Sequence, residues 1–191
     1  MVKDKIIVIS GPSGSGKTTV VKTILEKFKE LSFSVSATTR KKRASEIDAK
    51  DYYFLTPKEF TTKIENDELL EYQEVYPDIF YGTLKSDVSL LLEKGKIPVL
   101  DIDVKGALNV KKIYGTIVMT IFLYPGNIEI LEKRLKHRKS ENAHSLKERL
   151  DKAKSEIGYA HHFDHIVCND GPLENTLKET CKLITEFIAI K

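Results

Sequence analysis

The sequence has few of the residues that mark secreted, fibrous or membrane-spanning chains. Among 191 residues there is no tryptophan, and the two cysteines are Cys168 and Cys181. Two cysteines cannot build the disulfide framework of a small secreted domain, so we expect both side chains to be reduced and buried. Proline and glycine, at 6 and 10 residues, are too scarce for a collagen-like or low-complexity chain.

Long apolar runs and a strong charge excess are also missing. No stretch approaches the roughly 20 apolar residues that span a bilayer, and a strand-like run begins too early to leave room for a secretory leader. Lysine and arginine exceed aspartate and glutamate by only three residues, too few to indicate nucleic-acid binding. These features predict a cytoplasmic protein without a membrane or nucleic-acid partner, and they leave monomer and homodimer open.

Apolar runs alternate with helical periods along the whole chain. This alternation is typical of an α/β domain with a mostly parallel sheet, and the length suits one such domain. The predicted strands of the main sheet are residues 5–10, 33–36, 97–103, 117–124 and 166–169. The predicted helices are residues 19–30, 57–66, 85–94, 128–136 and 145–159, followed by a last helix at 173–188.

Residues 40–96 depart from this pattern. Residues 51–55, 69–76 and 79–83 are strand-like, and Pro77-Asp78 predicts an antiparallel turn between the last two. Thr56 and Ser145 each begin a capping-box pattern, which predicts the start of a helix. We therefore expect a small mixed α/β subdomain to be inserted into the parallel domain.

One motif near the start of the chain predicts a phosphate site. Residues 11–18 fit G-x-x-x-x-G-K-[ST] and lie between a strand-like and a helix-like run. In such a loop the backbone N–H groups turn inward, Lys17 reaches the outer phosphates, and the Thr18 hydroxyl binds Mg2+. The loop consists of Gly11, Pro12, Ser13, Gly14, Ser15, Gly16, Lys17 and Thr18, and Thr19 follows it.

Charged residues elsewhere allow two interpretations when each is taken alone. Asp101 and Asp103 end a buried strand, where they face either a ligand crevice or solvent. Arg40 and Arg43 flank a basic loop that is either solvated or suited to a phosphate monoester. Arg134 and Arg138 share a helix face if one helix continues through both.

Several motifs in one order carry a resemblance across nearly the whole chain. They are Ser34-Val35-Ser36-Ala37-Thr38-Thr39-Arg40, Arg43, Glu46, Asp51-Tyr52, Glu71, Tyr81-Gly82-Thr83 and Asp101-Ile102-Asp103. With the phosphate motif, this series resembles the guanylate kinases, which phosphorylate GMP with ATP. The resemblance implies a three-layer P-loop α/β fold with a central, mostly parallel five-stranded sheet, an inserted GMP-binding subdomain and a helical lid.

The resemblance also implies roles for individual residues. Ser36, Glu71 and Thr83 would bind guanine, whose N1 hydrogen and 2-amino group match the two acceptors of a carboxylate. The implied GMP site consists of Ser36, Arg40, Arg43, Tyr52, Glu71, Tyr81, Gly82, Thr83 and Asp103. The implied ATP site consists of residues 11–19 and Asn169, the metal ligands for Mg2+ with ATP are Thr18 and Asp101, and the catalytic groups are Lys17, Arg134, Arg138 and Arg149.

The implied division of the chain has three parts. Residues 1–39, 97–133 and 150–191 would form the core, residues 40–96 the GMP-binding subdomain and residues 134–149 the lid. No general base is needed for the implied reaction, because the attacking phosphate oxygen is already an anion. We expect dGMP to be accepted together with GMP.

Other functions stay open on the sequence. Guanylate-kinase-like domains that serve as protein-binding scaffolds tend to lose the phosphate loop and lid residues, which this chain retains. A kinase of another nucleoside monophosphate or of a phosphorylated sugar is disfavoured by Ser36 and Glu71.

Residues 42, 45 and 49 depart from the family's usual loop, where proline, glycine and glycine stand in place of Lys42, Ser45 and Ala49. Lys139 likewise replaces a glycine after Arg138, and the spacing of His161, His162 and His165 fits no usual zinc site.

Overall fold

A computed structural model describes residues 4–136 and 143–190. The strands of this part are β1 (Ile6–Ser10), β2 (Leu31–Phe33), β3 (Ser36–Thr38), β4 (Tyr53–Phe54), β5 (Leu69–Tyr76), β6 (Ile79–Leu84), β7 (Ile97–Asp101), β8 (Val118–Tyr124) and β9 (His165–Cys168). The α-helices are α1 (Lys17–Lys27), α2 (Pro57–Glu65), α3 (Lys85–Glu93), α4 (Val104–Tyr114), α5 (Ile128–Lys136), α6 (Ala143–Gly158) and α7 (Leu173–Ala189).

The main sheet has five parallel strands in the order β2-β7-β1-β8-β9. Its central strand, β1, is apolar from Ile6 to Ile9, and all four side chains are fully buried. A strand covered on both faces has no reason to alternate apolar with polar residues. The predicted parallel α/β sheet is therefore confirmed.

Helices cover both faces of this sheet. Ile6 and Val8 pack in a cluster with residues of α3 and α4, whereas Ile7 and Ile9 pack with residues of α1 and α7. The carboxyl ends of β1 and β7 consequently open at one edge of a three-layer core. That edge is where a doubly wound sheet binds its ligands.

A second, mixed sheet has the order β4-β3-β6-β5. Strand β6 runs antiparallel to both β3 and β5, and helix α2 buries Phe60 against this sheet. The capping box that starts α2 is confirmed, since the Thr56 hydroxyl accepts from the Glu59 N–H (3.2 Å) and the Glu59 carboxylate accepts from the Thr56 N–H (2.7 Å).

The prediction of one strand over residues 33–36 is wrong. The main-sheet strand β2 ends at Phe33, and β3 of the second sheet begins at Ser36. Between them, the Ser34 hydroxyl and the Val35 N–H donate to one carboxylate oxygen of Asp87 at 2.8 and 3.0 Å. The other oxygen accepts from the Tyr53 hydroxyl at 3.1 Å. Asp87 thus satisfies the polar groups where the chain passes from one sheet to the other.

Three further predictions about local structure are wrong. The strand predicted over residues 97–103 is too long, because β7 ends at Asp101, and Asp103 instead caps helix α4, which was not predicted. The chain is already helical at Ala143, so Ser145 lies within α6 and is not its cap. Cys168 is exposed, since it shares the uncovered face of β9 with Ile166, and Cys181 on α7 is half-buried.

We predict that Asp87→Ala lowers the free energy of unfolding by about 2 kcal/mol, because it removes a charged acceptor that serves three donors. Asp87→Asn should lose less, since one oxygen still accepts. Urea unfolding monitored by circular dichroism measures both. Glu186→Ala removes an exposed carboxylate whose ion pair with Lys182 spans 3.9 Å, so this control should change stability by less than about 0.5 kcal/mol. Equal stability of Asp87→Ala and the unsubstituted protein would contradict the prediction.

Candidate functional site

A cleft of about 510 Å³ opens at the carboxyl ends of β1 and β7 and faces the second sheet. The main sheet contributes the loop after β1 and the end of β7, the second sheet contributes β3, β5 and β6, and α6 closes one side. The lining residues are Gly11, Ser13, Lys17, Ser36, Arg43, Tyr52, Glu71, Gln73, Val75, Tyr81, Gly82, Asp101, Ile102, Asp103, Arg149, Lys152 and Glu156.

The loop over residues 11–18, here called the phosphate loop, leads from β1 into the N-terminus of α1. Lys17 Nζ donates to the carbonyls of Gly11 (2.7 Å) and Pro12 (3.2 Å). The ammonium group is thereby held over the loop, next to the start of α1. An ammonium group beside a helix N-terminus is an arrangement that binds phosphate.

Asn169, which directly follows β9, is hydrogen-bonded to the phosphate loop. Its Nδ2 donates to the Ser15 carbonyl at 2.7 Å, and its Oδ1 accepts from the Thr176 hydroxyl at 3.2 Å. Gly16 has a φ of 97°, and a Cβ atom there would lie 2.3 Å from this Nδ2. Only glycine therefore fits at this turn.

Asn169 also connects the loop with a predicted lid arginine. Its backbone carbonyl accepts from Nη2 of Arg134 at 2.7 Å. Nη1 of Arg134 is buried and makes no hydrogen bond within the described part of the chain. Both amide atoms of Asn169 are thus used within the protein, and neither Asn169 nor Arg134 lines the cleft.

The facing wall of the cleft is built by register across the second sheet. Ser36 on β3 pairs with Thr83 on β6, and Thr83 pairs with Glu71 on β5. The Thr83 hydroxyl donates to Glu71 Oε1 at 2.7 Å. These three polar side chains, distant in the chain, form one row with a carboxylate at its end.

Glu71 is a buried carboxylate without a positive partner among the described contacts. Glu71 as a residue is only 8% exposed. Burial raises its pKa to about 7, the hydrogen bond from Thr83 opposes the shift, and the negative charge of Asp103 adds to it. A ligand that donates two hydrogen bonds would favour the ionised form.

The first turn of α4 packs against this carboxylate. Asp103 caps the helix by accepting from the Gly106 N–H at 2.7 Å. A Cβ atom on Gly106 would lie 2.5 Å from Glu71 Oε2. The absence of a side chain at residue 106 therefore allows Glu71 to adopt its position, a role that motif spacing does not reveal.

Arg40 lies beside the cleft and is engaged by Glu46. Its guanidinium donates to both carboxylate oxygens at 2.8 and 3.0 Å, and its Nε donates to the Tyr81 hydroxyl at 3.2 Å. The hydrogen bonds from Arg40 lower the pKa of Glu46 to about 2. Arg40 therefore orients Tyr81 from behind, while Arg43, Tyr52 and Tyr81 line the cleft themselves.

Asp101 lines the cleft on the side of the phosphate loop. Burial raises its pKa, and the charge of Lys17 opposes that shift. Its carboxylate makes no hydrogen bond to another described residue, and the exposed Thr18 lies next to Lys17 at the start of α1. A half-buried carboxylate that lines the cleft, together with a hydroxyl, fits a hard cation such as Mg2+.

Helix α6 brings a third group of charges to the cleft. Arg149, Lys152 and Glu156 recur at helical spacing on one face, and all three line the cleft. Arg149 donates to the Ser13 hydroxyl of the phosphate loop. Burial raises the pKa of Glu156. The predicted catalytic residue Arg138 lies outside the described residues.

The structure brings most of the predicted site residues to one cleft, and it adds others. Residues 12, 14–16, 18 and 19 belong to the phosphate loop or the start of α1 without lining the cleft, and Thr83 supports Glu71 from behind. Sequence reasoning missed the lining residues Gln73, Val75, Ile102, Lys152 and Glu156. Period two along β5 and the helical period of α6 are the signals that could have found the polar ones.

Within residues 4–136 and 143–190 no three histidine, cysteine, aspartate or glutamate side chains form a cluster that could hold a metal. In the same ranges no helix is long and apolar enough to cross a bilayer.

Known proteins resemble this chain over nearly its full length. The family model for guanylate kinase matches residues 3–189. The guanylate kinase of Salinibacter ruber is 46% identical over 184 residues, which cover 96% of this chain and 97% of that protein. The guanylate kinase of Porphyromonas gingivalis is 46% identical over 186 residues, with 97% and 98% covered. The crystal structure of guanylate kinase from Anaplasma phagocytophilum superposes with a TM-score of 0.76 at 30% identity and covers 97% of this chain and 87% of that one.

We predict that Glu71→Gln stabilises the protein without nucleotide, and only above acidic pH. Because the pKa of Glu71 is about 7 in the folded state against an ordinary value of 4.5, the folded state binds more protons between these values. Stability therefore falls as pH rises through that window. Glutamine does not ionise, so the variant does not lose this stability. Its free energy of unfolding should therefore match that of the unsubstituted protein at pH 4.5 and exceed it by about 2 to 3 kcal/mol at pH 8. Urea unfolding at both pH values measures it, and an advantage independent of pH would contradict the assignment.

Proposed function

Because the chain belongs to the guanylate kinase family, we infer that it transfers the γ-phosphoryl group of ATP to GMP and releases ADP and GDP. One observation supports this function above all. The buried carboxylate of Glu71, held by Thr83, faces the phosphate loop across a single cleft. A loop suited to a triphosphate and a carboxylate that can accept hydrogen bonds from a base therefore lie in one site.

The base selectivity follows from the chemistry of Glu71. Two carboxylate oxygens complement the N1 hydrogen and 2-amino group of guanine, which adenine and the pyrimidines do not present in this arrangement. A base that lacks these donors would leave a buried charge unpaired, and this mismatch is costly. Ser36, Thr83 and Gly82 complete the proposed guanine end of the site, and Asp103 lies beside it.

The wall that faces the phosphate loop, built from β3, β5, β6 and the loop with Arg43 and Tyr52, is here called the acceptor wall. Its end opposite Glu71 is suited to a phosphate. Arg43 supplies a guanidinium, and Tyr52 and Tyr81 supply hydroxyls. Arg40, which is paired with Glu46, donates a hydrogen bond to the Tyr81 hydroxyl. Guanidinium groups match phosphate oxygens with paired donors. We propose that this end binds the GMP phosphate and aims it at the phosphate loop.

Catalysis by these residues consists of alignment and charge neutralisation. The acceptor phosphate needs no base, because it is ionised at neutral pH. Lys17 and Arg149 lie at the cleft, and we propose that Arg134 and Arg138 join them when ATP is bound. Mg2+, held by Thr18 and Asp101, would neutralise charge on the ATP phosphates. Exclusion of water prevents hydrolysis in place of transfer.

We propose that residues 40–96 act as the GMP-binding subdomain and residues 134–149 as the lid on a core of residues 1–39, 97–133 and 150–191. We also propose that residues 11–19 bind ATP and that Asn169 supports this loop. Acceptance of dGMP, the cytoplasmic location and the choice between monomer and homodimer stay predictions.

Release of ADP measured with ATP and one of GMP, AMP, CMP, UMP or dTMP tests the function. We expect turnover with GMP to exceed turnover with the other four by at least about 100-fold, because they lack the paired donors. Omission of Mg2+ should abolish it, and Lys17→Met is the inactive control. No turnover with GMP above that with ATP alone would favour a protein-binding scaffold, and preference for another monophosphate would overturn the role of Glu71.

We predict that Gly106→Ala raises KM for GMP about tenfold and leaves KM for ATP unchanged, because the added methyl group displaces Glu71 Oε2. The fold should survive, since alanine is the better helix former. In a Glu71→Ala background the same change should have little further effect, because the displaced group is gone.

Gly158→Ala is the matched control, because a Cβ atom there has no neighbour within 4 Å. An effect of Gly106→Ala that persists at full size without the Glu71 carboxylate would show that the substitution acts through the helix and not through Glu71.

A further inference from the structure

Gln73 occupies a defined place on the acceptor wall. It follows Glu71 by two residues on β5, so both side chains are on one face of the sheet. Its partner across the sheet is Tyr81 on β6. Gln73 lines the cleft, and it is therefore part of the wall that the proposed acceptor nucleotide touches.

The carboxamide of Gln73 has an unused hydrogen-bonding atom. Its Oε1 is buried and makes no hydrogen bond within residues 4–136 and 143–190. A buried acceptor without a donor is costly and uncommon in native proteins. An acceptor of this kind on the wall of a ligand cleft is satisfied when a ligand donates to it.

The position of Gln73 limits which part of the ligand can do so. At about 3.4 Å per residue, Gln73 lies about 7 Å along the strand from Glu71 and in the same row as Tyr81. If the proposed function holds, guanine lies at Glu71 and the phosphate at Tyr81. The ribose joins these two groups covalently, so it passes Gln73.

We propose that Gln73 Oε1 accepts a hydrogen bond from a ribose hydroxyl of the acceptor nucleotide. The hydroxyls are the donors that a ribose offers. Gln73 is then a specificity residue for the sugar, distinct from Glu71 for the base and Tyr81 for the phosphate. This inference rests on the proposed function.

The test compares acceptors that differ in one hydroxyl. KM is measured for GMP, 2′-deoxy-GMP and 3′-deoxy-GMP with the unsubstituted protein, Gln73→Ala and Gln73→Met, a change that keeps side-chain length but removes the acceptor. We expect both variants to raise KM for GMP about fivefold, the loss of one hydrogen bond. KM for one of the two deoxy-nucleotides should stay unchanged, because its hydroxyl is already missing.

Tyr72→Ala is the matched control, since Tyr72 is the next residue on β5, faces the opposite side and is 50% exposed. It should leave all three KM values unchanged. An unchanged KM for GMP in both Gln73 variants, or an equal rise for all three acceptors, would overturn the inference. Either result would leave the proposed function intact, whereas lack of GMP turnover by the unsubstituted protein would refute that function itself.

Discussion

The geometry of the cleft depends on how the chain leaves the main sheet. At Ser34 and Val35 the backbone turns away from β7. The polar groups that have no strand partner at this turn are shielded from water, so they must be hydrogen-bonded within the protein. The carboxylate of Asp87 is the acceptor, and it binds Tyr53 of the second sheet as well. One side chain therefore joins both sheets where they meet. This junction lies directly before β3, the strand that contributes Ser36 to the cleft.

The cleft contains charges of both signs, and the position of each charge matters more than the net charge of the cleft. Lys17 lines the cleft from the phosphate loop, Arg149 and Lys152 line it from α6, and Arg43 lines it from the loop after β3. Glu71 and Asp103 lie together near the start of α4. A carboxylate surrounded by cations would have a depressed pKa and would be saturated before any ligand arrived. Glu71 instead has no cation among its described contacts and accepts one side-chain hydrogen bond, from Thr83, so its other lone pairs can accept from a ligand. If Glu71 binds guanine as we propose, the same burial that lowers stability at neutral pH also makes an unpaired base costly.

Local patterns predicted the parts of the structure that local forces determine. The sequence from β1 through the phosphate loop to α1 was predictable, because a doubly covered strand and a glycine-rich turn leave direct signatures. The row formed by Ser36, Thr83 and Glu71 was not predictable from periodicity, since it depends on register between strands far apart in the chain. The resemblance to a family named these residues, but it did not reveal the steric role of Gly106. The break after Phe33 was missed because the side chain that causes it, Asp87, lies on a distant helix.

The basic loop after β3 shows how a departure from the family pattern is accommodated. Ala49, at a place where the family prefers glycine, has a φ of 58°, a left-handed conformation that costs a residue with a Cβ atom about 1 kcal/mol. Local hydrogen bonds oppose this cost, since the Ala49 N–H donates to the Tyr52 carbonyl at 2.9 Å and the Ile47 N–H donates to Asp51 at 2.6 Å. The ion pair between Arg40 and Glu46 closes the other side of the loop. These contacts are internal to the loop that carries Tyr52 to the cleft wall. The strain at Ala49 therefore lies in a loop whose own contacts support the end of the cleft wall at which we propose that the GMP phosphate binds.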